Sequence, residues 1–263
     1  MQSELHALIE RCLSELDLKL KISDRQADIE LTSCFGESQS ANEGQTRILY
    51  LGENVRPNYS NIDYSLTFDL NNYEGRNIYL PIWMMRAKEL SGKWIGGVNY
   101  DKNLISRKRN INNNGKIVYI GNNSTPMRRE LIIRLRRAGY TVDEYGSHTN
   151  PIKDKIKTYS KYTYSLCLEN SYSPNYVTEK LIDGYIGETI PIYWGGIDKS
   201  TFNHNAFIEI GMNEAVENFV VRFKETKYTD YKIEKLFKDD AYMKCLNKTK
   251  NSLMRLIGNL YSH

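Results

Sequence analysis

The chain predicts an α/β fold built on parallel sheets, and three observations carry that reading. Short β-branched runs alternate with helical apolar patterns, most regularly after residue 115. Several runs end in glycine-containing loops, at Gly52, Gly121 and Gly195-Gly196. The helical patterns are amphipathic, so each offers one face to a sheet. Strands alternating with helices imply parallel pairing with helices on both faces. In such sheets ligands sit beyond the carboxyl ends of the strands. The informative loops are therefore residues 121–127, 169–176 and those from 195 onward.

Residues 3–16 place Leu5, Leu8, Ile9, Cys12, Leu13 and Leu16 at helical spacing, which predicts an amphipathic helix. Short alternating or β-branched runs predict strands at 18–22, 29–32, 47–51, 64–68 and 78–82. Residues 87–114 are polar, contain Gly92 and Gly96-Gly97 and lack periodicity, so a linker with a mobile loop is expected there. Strands are predicted at 116–121, 141–145, 165–168 and 189–194, with a helix at 128–138. A further helix is expected at 175–186, where Val177, Leu181, Tyr185 and Ile186 share a face and Asn175 serves as N-cap. Helical patterns follow to the end. The expected division is an N-terminal domain at 1–100, a linker at 101–114, a C-terminal domain at 115–245 and a closing helix at 246–263.

At 263 residues, with 40% hydrophobic and 26% charged residues, the chain suits one or two cores and an ordinary soluble composition. No apolar run approaches the roughly 20 residues of a membrane-spanning helix, and the start lacks the basic end and apolar block of a secretory signal. A cytoplasmic location is expected, with peripheral association at the inner membrane as the only membrane contact. Cys12, Cys34, Cys167 and Cys245 are widely spaced without a C-x-x-C pair, which points to reduced thiols and to neither a zinc site nor a redox dithiol. Net charge is +4, yet residues 86–137 hold 13 Lys and Arg against 3 acidic residues. Such a region meets a nucleotide diphosphate, a nucleic acid or an anionic membrane surface, or is a solvated basic face. Nucleic acid ranks last, because no reading motif accompanies the charge.

The stretch YSLCLENSYSPNYVTEKLIDGYIGETIPIYWGG, residues 164–196, resembles the donor-binding signature of the family 10 glycosyltransferases, the α-1,3/4-fucosyltransferases. Asn122 to Arg128 is similar to that family's S-N-x-x-x-x-R loop, and VDEYG, residues 142–146, to its V-D-x-Y-G strand. In the first half YLGENVRPN, residues 50–58, resembles the bacterial Y-x-G-E-N-x-x-P-N, followed by DYSLTFD at 63–69. The resemblance covers roughly residues 5–240. It implies the GT-B class, two Rossmann-like domains with parallel sheets facing across a cleft and the donor held in the C-terminal one. It departs at the start, where the chain opens on a helix and the family on a strand, so the first sheet reads as one strand short or truncated. It also lacks the heptad repeats and basic amphipathic tail of some bacterial relatives.

By that resemblance the chain is an inverting α-1,3-fucosyltransferase. L-fucose would pass from GDP-fucose to a hydroxyl of an N-acetylglucosamine-containing oligosaccharide acceptor, of lipopolysaccharide or O-antigen type. Two alternatives stand beside it: a transferase for another nucleotide sugar, and a silent nucleotide- or glycan-binding module. Displacing a nucleotide diphosphate requires neutralising the charge that grows on its phosphate oxygens. Arg128, whose fork suits bidentate phosphate contact, and Lys180, near the start of a helix with its oriented N–H groups, are the expected cations. Arg128 alone would read as an exposed helix-start arginine. Glu179 is matched to sugar or ribose hydroxyls, or merely complements the helix dipole. Asn170 and Tyr176 complete the expected donor site, Asn170 otherwise reading as a turn residue. Glu53 is the candidate base, beside Gly52, which would let a ligand approach closely. Without a D-x-D motif, no metal and no cofactor beyond the donor substrate are expected.

Overall fold

The computed structural model describes residues 2–19, 21, 23, 27–35, 44–86, 110–147, 150–227, 235–238 and 240–261. The chain divides into two units, Met1–Tyr100 with Asp240–His263, and Asp101–Asp239.

The first unit opens on α1 (Gln2–Glu15). Its Leu5, Leu8 and Cys12 are buried, the expected stripe of an amphipathic helix. Four parallel strands follow in sequential order, β1 (Ile29–Ser33), β2 (Thr46–Tyr50), β3 (Tyr64–Thr67) and β4 (Asn77–Tyr79). Parallel neighbours require crossovers, and the connections after β2 and β3 are loops stitched by side chains. Asn77 shows how. Its amide donates to the carbonyls of Asp69 and Asn71 at 2.9 and 2.8 Å, while its oxygen accepts from Ser65 and Thr67. This buried amide thus fixes the β3–β4 loop on both sides, as burial of a polar group demands.

A strand is expected at 78–82, but β4 stops at Tyr79 and α2 (Ile82–Arg86) begins after Pro81. Proline lacks the N–H a strand would use and presets φ for a helix start. The expected strand at 18–22 falls partly outside the described residues, and Leu18 and Lys19 lie in no strand. Residues 87–109 of the expected linker also fall outside them.

The last helix, α7 (Ala241–Tyr261), belongs to this first unit. It packs on α1 and β4. Thr249 donates its hydroxyl to the Tyr79 carbonyl at 2.7 Å, Lys250 pairs with Glu15 at 2.9 Å, and Tyr242 meets the fully buried Trp83 ring. Burying one large apolar side chain is worth about 1.5–3 kcal/mol. Leu246, Leu253, Leu256 and Ile257 on the buried face of α7 are therefore a main support of this unit.

The second unit holds five parallel strands in the order β6-β5-β7-β8-β9: β5 (Ile117–Ile120), β6 (Val142–Tyr145), β7 (Tyr164–Leu168), β8 (Ile190–Trp194) and β9 (Ile208–Glu209). The near-continuous apolar runs of β5, β7 and β8 are buried, as expected of strands covered on both faces. Around them lie α3 (Pro126–Arg137), α4 (Lys155–Tyr159), α5 (Glu179–Ile186) and α6 (Val216–Lys224). Thr125 caps α3, accepting from the Arg128 amide, and Pro126 occupies its first turn. The start is two residues earlier than the apolar periodicity indicated.

Helix α4 is absent from the sequence reading because five residues hold too little periodicity. Asp154 caps it, and Lys155 pairs with the buried Asp183 of α5 at 2.7 Å. Helix α5 also starts later than expected. Asn175 is no cap but stands at φ 64°, in the left-handed turn that precedes Thr178, the residue at the N-cap position. Asparagine tolerates that conformation better than most residues.

Candidate active site

In the second unit β5 pairs with β6 on one side and β7 on the other. Successive connections from β5 therefore leave in opposite directions, and the crevice between the carboxyl ends of β5 and β7 is the switch point where open α/β sheets hold ligands. The loops leaving it are residues 121–125 and 169–178. One residue ties them together. Arg128, on α3 after β5, is 3% exposed. Its Nη1 donates to the Asn123 carbonyl at 2.7 Å, and its Nη2 to the Leu168 carbonyl at the end of β7 and to Asn170 Oδ1 at 2.9 Å. The guanidinium lies over the Tyr119 ring, and its Nε is buried with no hydrogen-bond partner among the described residues. The arginine that reads as an exposed helix-start residue from its surroundings is thus internal. Both terminal nitrogens of its fork serve the protein's own loops.

The second centre is Glu169, which the sequence reading passed over as the first letter of a loop motif. It is fully buried just past β7. Its carboxylate accepts from the Thr178 amide at 2.8 Å, the Thr178 hydroxyl at 2.7 Å, Lys180 Nζ at 3.1 Å and the Tyr193 hydroxyl at 3.3 Å. Burial pushes the carboxyl above the usual range, against the pull of the Lys180 ammonium and the Thr178 donors. Four donors converging on it are the surroundings that the charged form of a buried carboxyl requires. Gly195 makes room for it, since a Cβ there would come within 2.7 Å of Glu169 Cγ. An E at the carboxyl end of an apolar strand, eleven residues before a lysine, was the available signal.

Thr178 explains why α5 has no side-chain cap. Its hydroxyl donates to Glu169 and accepts from Lys180 Nζ at 2.9 Å instead of reaching into the helix. Lys180 remains 21% exposed and lies 3.7 Å from Glu179. Burial works against its charge, but the carboxylates of Glu169 and Glu179 outweigh it and hold its pKa above the ordinary value, with Arg128 opposing them. For Glu179 burial also acts against the charge, and the ammonium groups of Lys180 and Lys155 hold its pKa below normal. The two sit as an acid and a base at the mouth of the helix start, one-third and one-fifth exposed.

Tyr176 is expected as a donor-contacting ring, yet its side chain is 1% exposed and its carbonyl accepts from Tyr193. Its ring is part of the loop's packing. Gly196 closes the same loop: it bridges Pro174, and a Cβ on it would overlap the Ser173 carbonyl. Arg128, Asn170, Tyr176, Glu179 and Lys180 are thus brought together around one switch point.

Glu53 lies in the first unit, in the loop leaving the carboxyl end of β2, and is partly exposed. Its carbonyl accepts from the Val55 amide at 2.8 Å. Cys34, just past β1, is close by: burial pushes its thiol up, and the Glu53 charge adds to the shift. Gly52 has a packing reason beside the expected ligand approach. A Cβ there would lie 2.8 Å from Ile82 Cδ1, so the glycine makes room for the first residue of α2. Among the described residues no group of three or more His, Cys, Asp or Glu is placed to hold a metal ion, and no helix is long and apolar enough to cross a membrane.

Residues 2–86 match the model of the α-(1,3)-fucosyltransferase FucT N-terminal domain, and residues 112–254 that of the glycosyltransferase family 10 (fucosyltransferase) C-terminal domain. The α-(1,3)-fucosyltransferase FucT of Helicobacter pylori is 28% identical over 193 residues, 62% of this chain. The chain spans 40% of that relative's length. Among solved structures, an α1,3-fucosyltransferase is similar at a TM-score of 0.68 and 21% identity, over 96% of this chain and 87% of its own. An α1,3-fucosyltransferase with GDP-fucose is similar at 0.65 and 22%, over 93% and 85%. These likenesses show the shared two-sheet GT-B fold.

Proposed function

We propose, from the premise that the chain belongs to glycosyltransferase family 10, that it is an α-1,3-fucosyltransferase which moves L-fucose from GDP-fucose to a glycan hydroxyl with inversion. The observation that carries this reading is the pair of cations at the switch point: Arg128 and Lys180 converge beside the carboxyl ends of β5 and β7. A diphosphate leaving group needs positive charge held in place before the bond breaks, because preorganised charge costs no reorganisation in the transition state. Lys180 is the partly exposed cation and takes the direct phosphate contact. Arg128, its fork spent on Asn123, Leu168 and Asn170, contributes charge from beneath and holds the two loops in register. Glu179 accepts from sugar or ribose hydroxyls at the same edge.

Glu53 takes the acceptor proton. As the hydroxyl oxygen bonds to the anomeric carbon, the bond from that carbon to the phosphate oxygen breaks on the opposite face, and GDP leaves as an anion without needing a proton. One carboxylate is therefore enough, whereas most glycosidases use two. With lysine and arginine at the phosphates, transfer needs no obligatory divalent ion. The acceptor is an N-acetylglucosamine-containing oligosaccharide of lipopolysaccharide type, met in the cytoplasm or at the inner membrane face.

Incubation with GDP-fucose, with and without N-acetyllactosamine, tests the reading by GDP release. Acceptor-dependent release that persists in EDTA is expected. Release only from UDP sugars would overturn the donor, and loss in EDTA with recovery in manganese would overturn metal independence.

A further inference from the structure

We propose that Glu169 is a positioning residue of the donor site: its buried carboxylate anchors the Lys180 ammonium where the donor diphosphate meets it. The inference rests on the donor reading above. Four distances carry it. Glu169 spends one oxygen on the Thr178 amide and the Tyr193 hydroxyl, which immobilise it, and the other on the Thr178 hydroxyl and Lys180 Nζ. The Thr178 hydroxyl then accepts from the same ammonium at 2.9 Å. Two of the three N–H bonds of Lys180 are thus directed inward at fixed partners, and the third, with Glu179 at 3.7 Å, makes no hydrogen bond among the described residues and can meet an outside anion. A free lysine would lose rotamer entropy on meeting a phosphate. Here that loss has been met in folding, because the partner is rigid.

The geometry also explains why so costly a group as a buried carboxylate sits under a site for an anion. An isolated carboxylate beside a phosphate would repel it. Glu169 is screened by the ammonium and by Thr178, so an incoming phosphate sees Lys180 first. The charged and titratable groups facing this pair are Glu179 on α5, Arg128 on α3, Tyr193 on β8, Cys167 on β7 and, one step out, Lys155 on α4 beside Glu179 and Asp183. Of the carboxylates, Glu169 acts most strongly on Lys180. Removing it leaves burial and Arg128 to lower the lysine's pKa, with Glu179 alone opposing them. The ammonium then loses its proton at a lower pH, and anion binding fails sooner as pH rises.

GDP titration of the whole protein from about pH 7 to about pH 11, for wild type, Glu169→Gln, Lys180→Met and the double variant, tests this. Glu169→Gln should weaken GDP binding roughly tenfold or more at neutral pH, the scale of one lost charge-assisted hydrogen bond. It should also move the alkaline fall in affinity to lower pH. In the Lys180→Met background the same substitution should cost almost nothing, since the contact it serves is gone. A Glu169→Gln loss of equal size in both backgrounds, or an alkaline fall left in place, would overturn the positioning role and show a purely structural one. Wild-type protein that binds no GDP would overturn the donor reading and this inference with it. If Glu169→Gln fails to fold, the cycle is run with Glu169→Asp, whose shortened reach should weaken GDP only when Lys180 is present.

Discussion

Glu53 and Lys180 divide the proposed reaction between base and charge, and single substitutions should separate the two. Glu53→Gln is expected to leave the donor dissociation constant unchanged and to lower turnover by roughly 10²–10⁴-fold, the usual share of a general base. Lys180→Ala should weaken donor binding by about 1.5–3 kcal/mol, because it removes a charge-assisted contact. Donor affinity by calorimetry and single-turnover rates measured separately decide the matter, and near-normal turnover in Glu53→Gln would remove it as base. At this scale the sequence was most legible where charge sits at a helix start. Arg128 and Lys180 could be placed beside the carboxyl ends of β5 and β7 from motif and periodicity. What could not be read was direction: whether a fork points out to a phosphate or in to a strand's last carbonyl depends on neighbours forty residues away, such as Leu168 and Asn170. Glu169 escaped for the same reason. A buried carboxylate and a solvated one are the same letter, and only the convergence of Thr178, Lys180 and Tyr193 tells them apart.

Among the elements, the loop between β7 and α5 is held by backbone contact. Gly196 at the end of β8 lets the Ser173–Pro174 segment lie against it with no space for a methyl group. Gly196→Ala should push that segment away, costing about 1–3 kcal/mol of stability as overpacking does. It should also weaken GDP binding, because Glu169 and Thr178 flank the displaced loop. A thermal melt and a GDP titration on the same sample check both, and a variant with unchanged affinity would show that the loop's seat is irrelevant to the site. Strands β5 to β8 were legible here to within a residue or two from their apolar runs, whereas the two-residue β9 lies in a stretch expected to be helical. Helix starts were less so. A pattern of Val177, Leu181 and Tyr185 begins before the helix does, just past the left-handed turn at Asn175, and periodicity alone has no sign for φ.

At the scale of the whole molecule, the five donor-side candidates lie within Asp101–Asp239, whereas Glu53 lies in a unit completed by Asp240–His263. Deleting residues 240–263 should therefore unfold the first unit, uncovering Leu8, Trp83 and the Tyr79 edge, and leave GDP affinity within a few-fold of the parent while transfer is abolished. Hydrogen exchange resolved by segment and a GDP titration would check this, and loss of GDP binding together with transfer would refute it. The parallel α/β character was legible from alternation, and the division into two sheets from the family resemblance. The return of the last helix was not, because an amphipathic stripe such as Leu246, Leu253 and Ile257 says that a face is covered and is silent on what covers it.

That return sets an order of events on the ribosome. The second unit is one unbroken stretch, free to close as soon as α6, which brings Phe219 and Phe223 to its core, has emerged. The first, although made earlier, waits with α1 and Trp83 uncovered until α7 arrives. At about 5–20 residues per second, the roughly 140 residues between Tyr100 and Asp240 keep the earlier half exposed for many seconds. In the growing chain, the half made last is the first that can be finished.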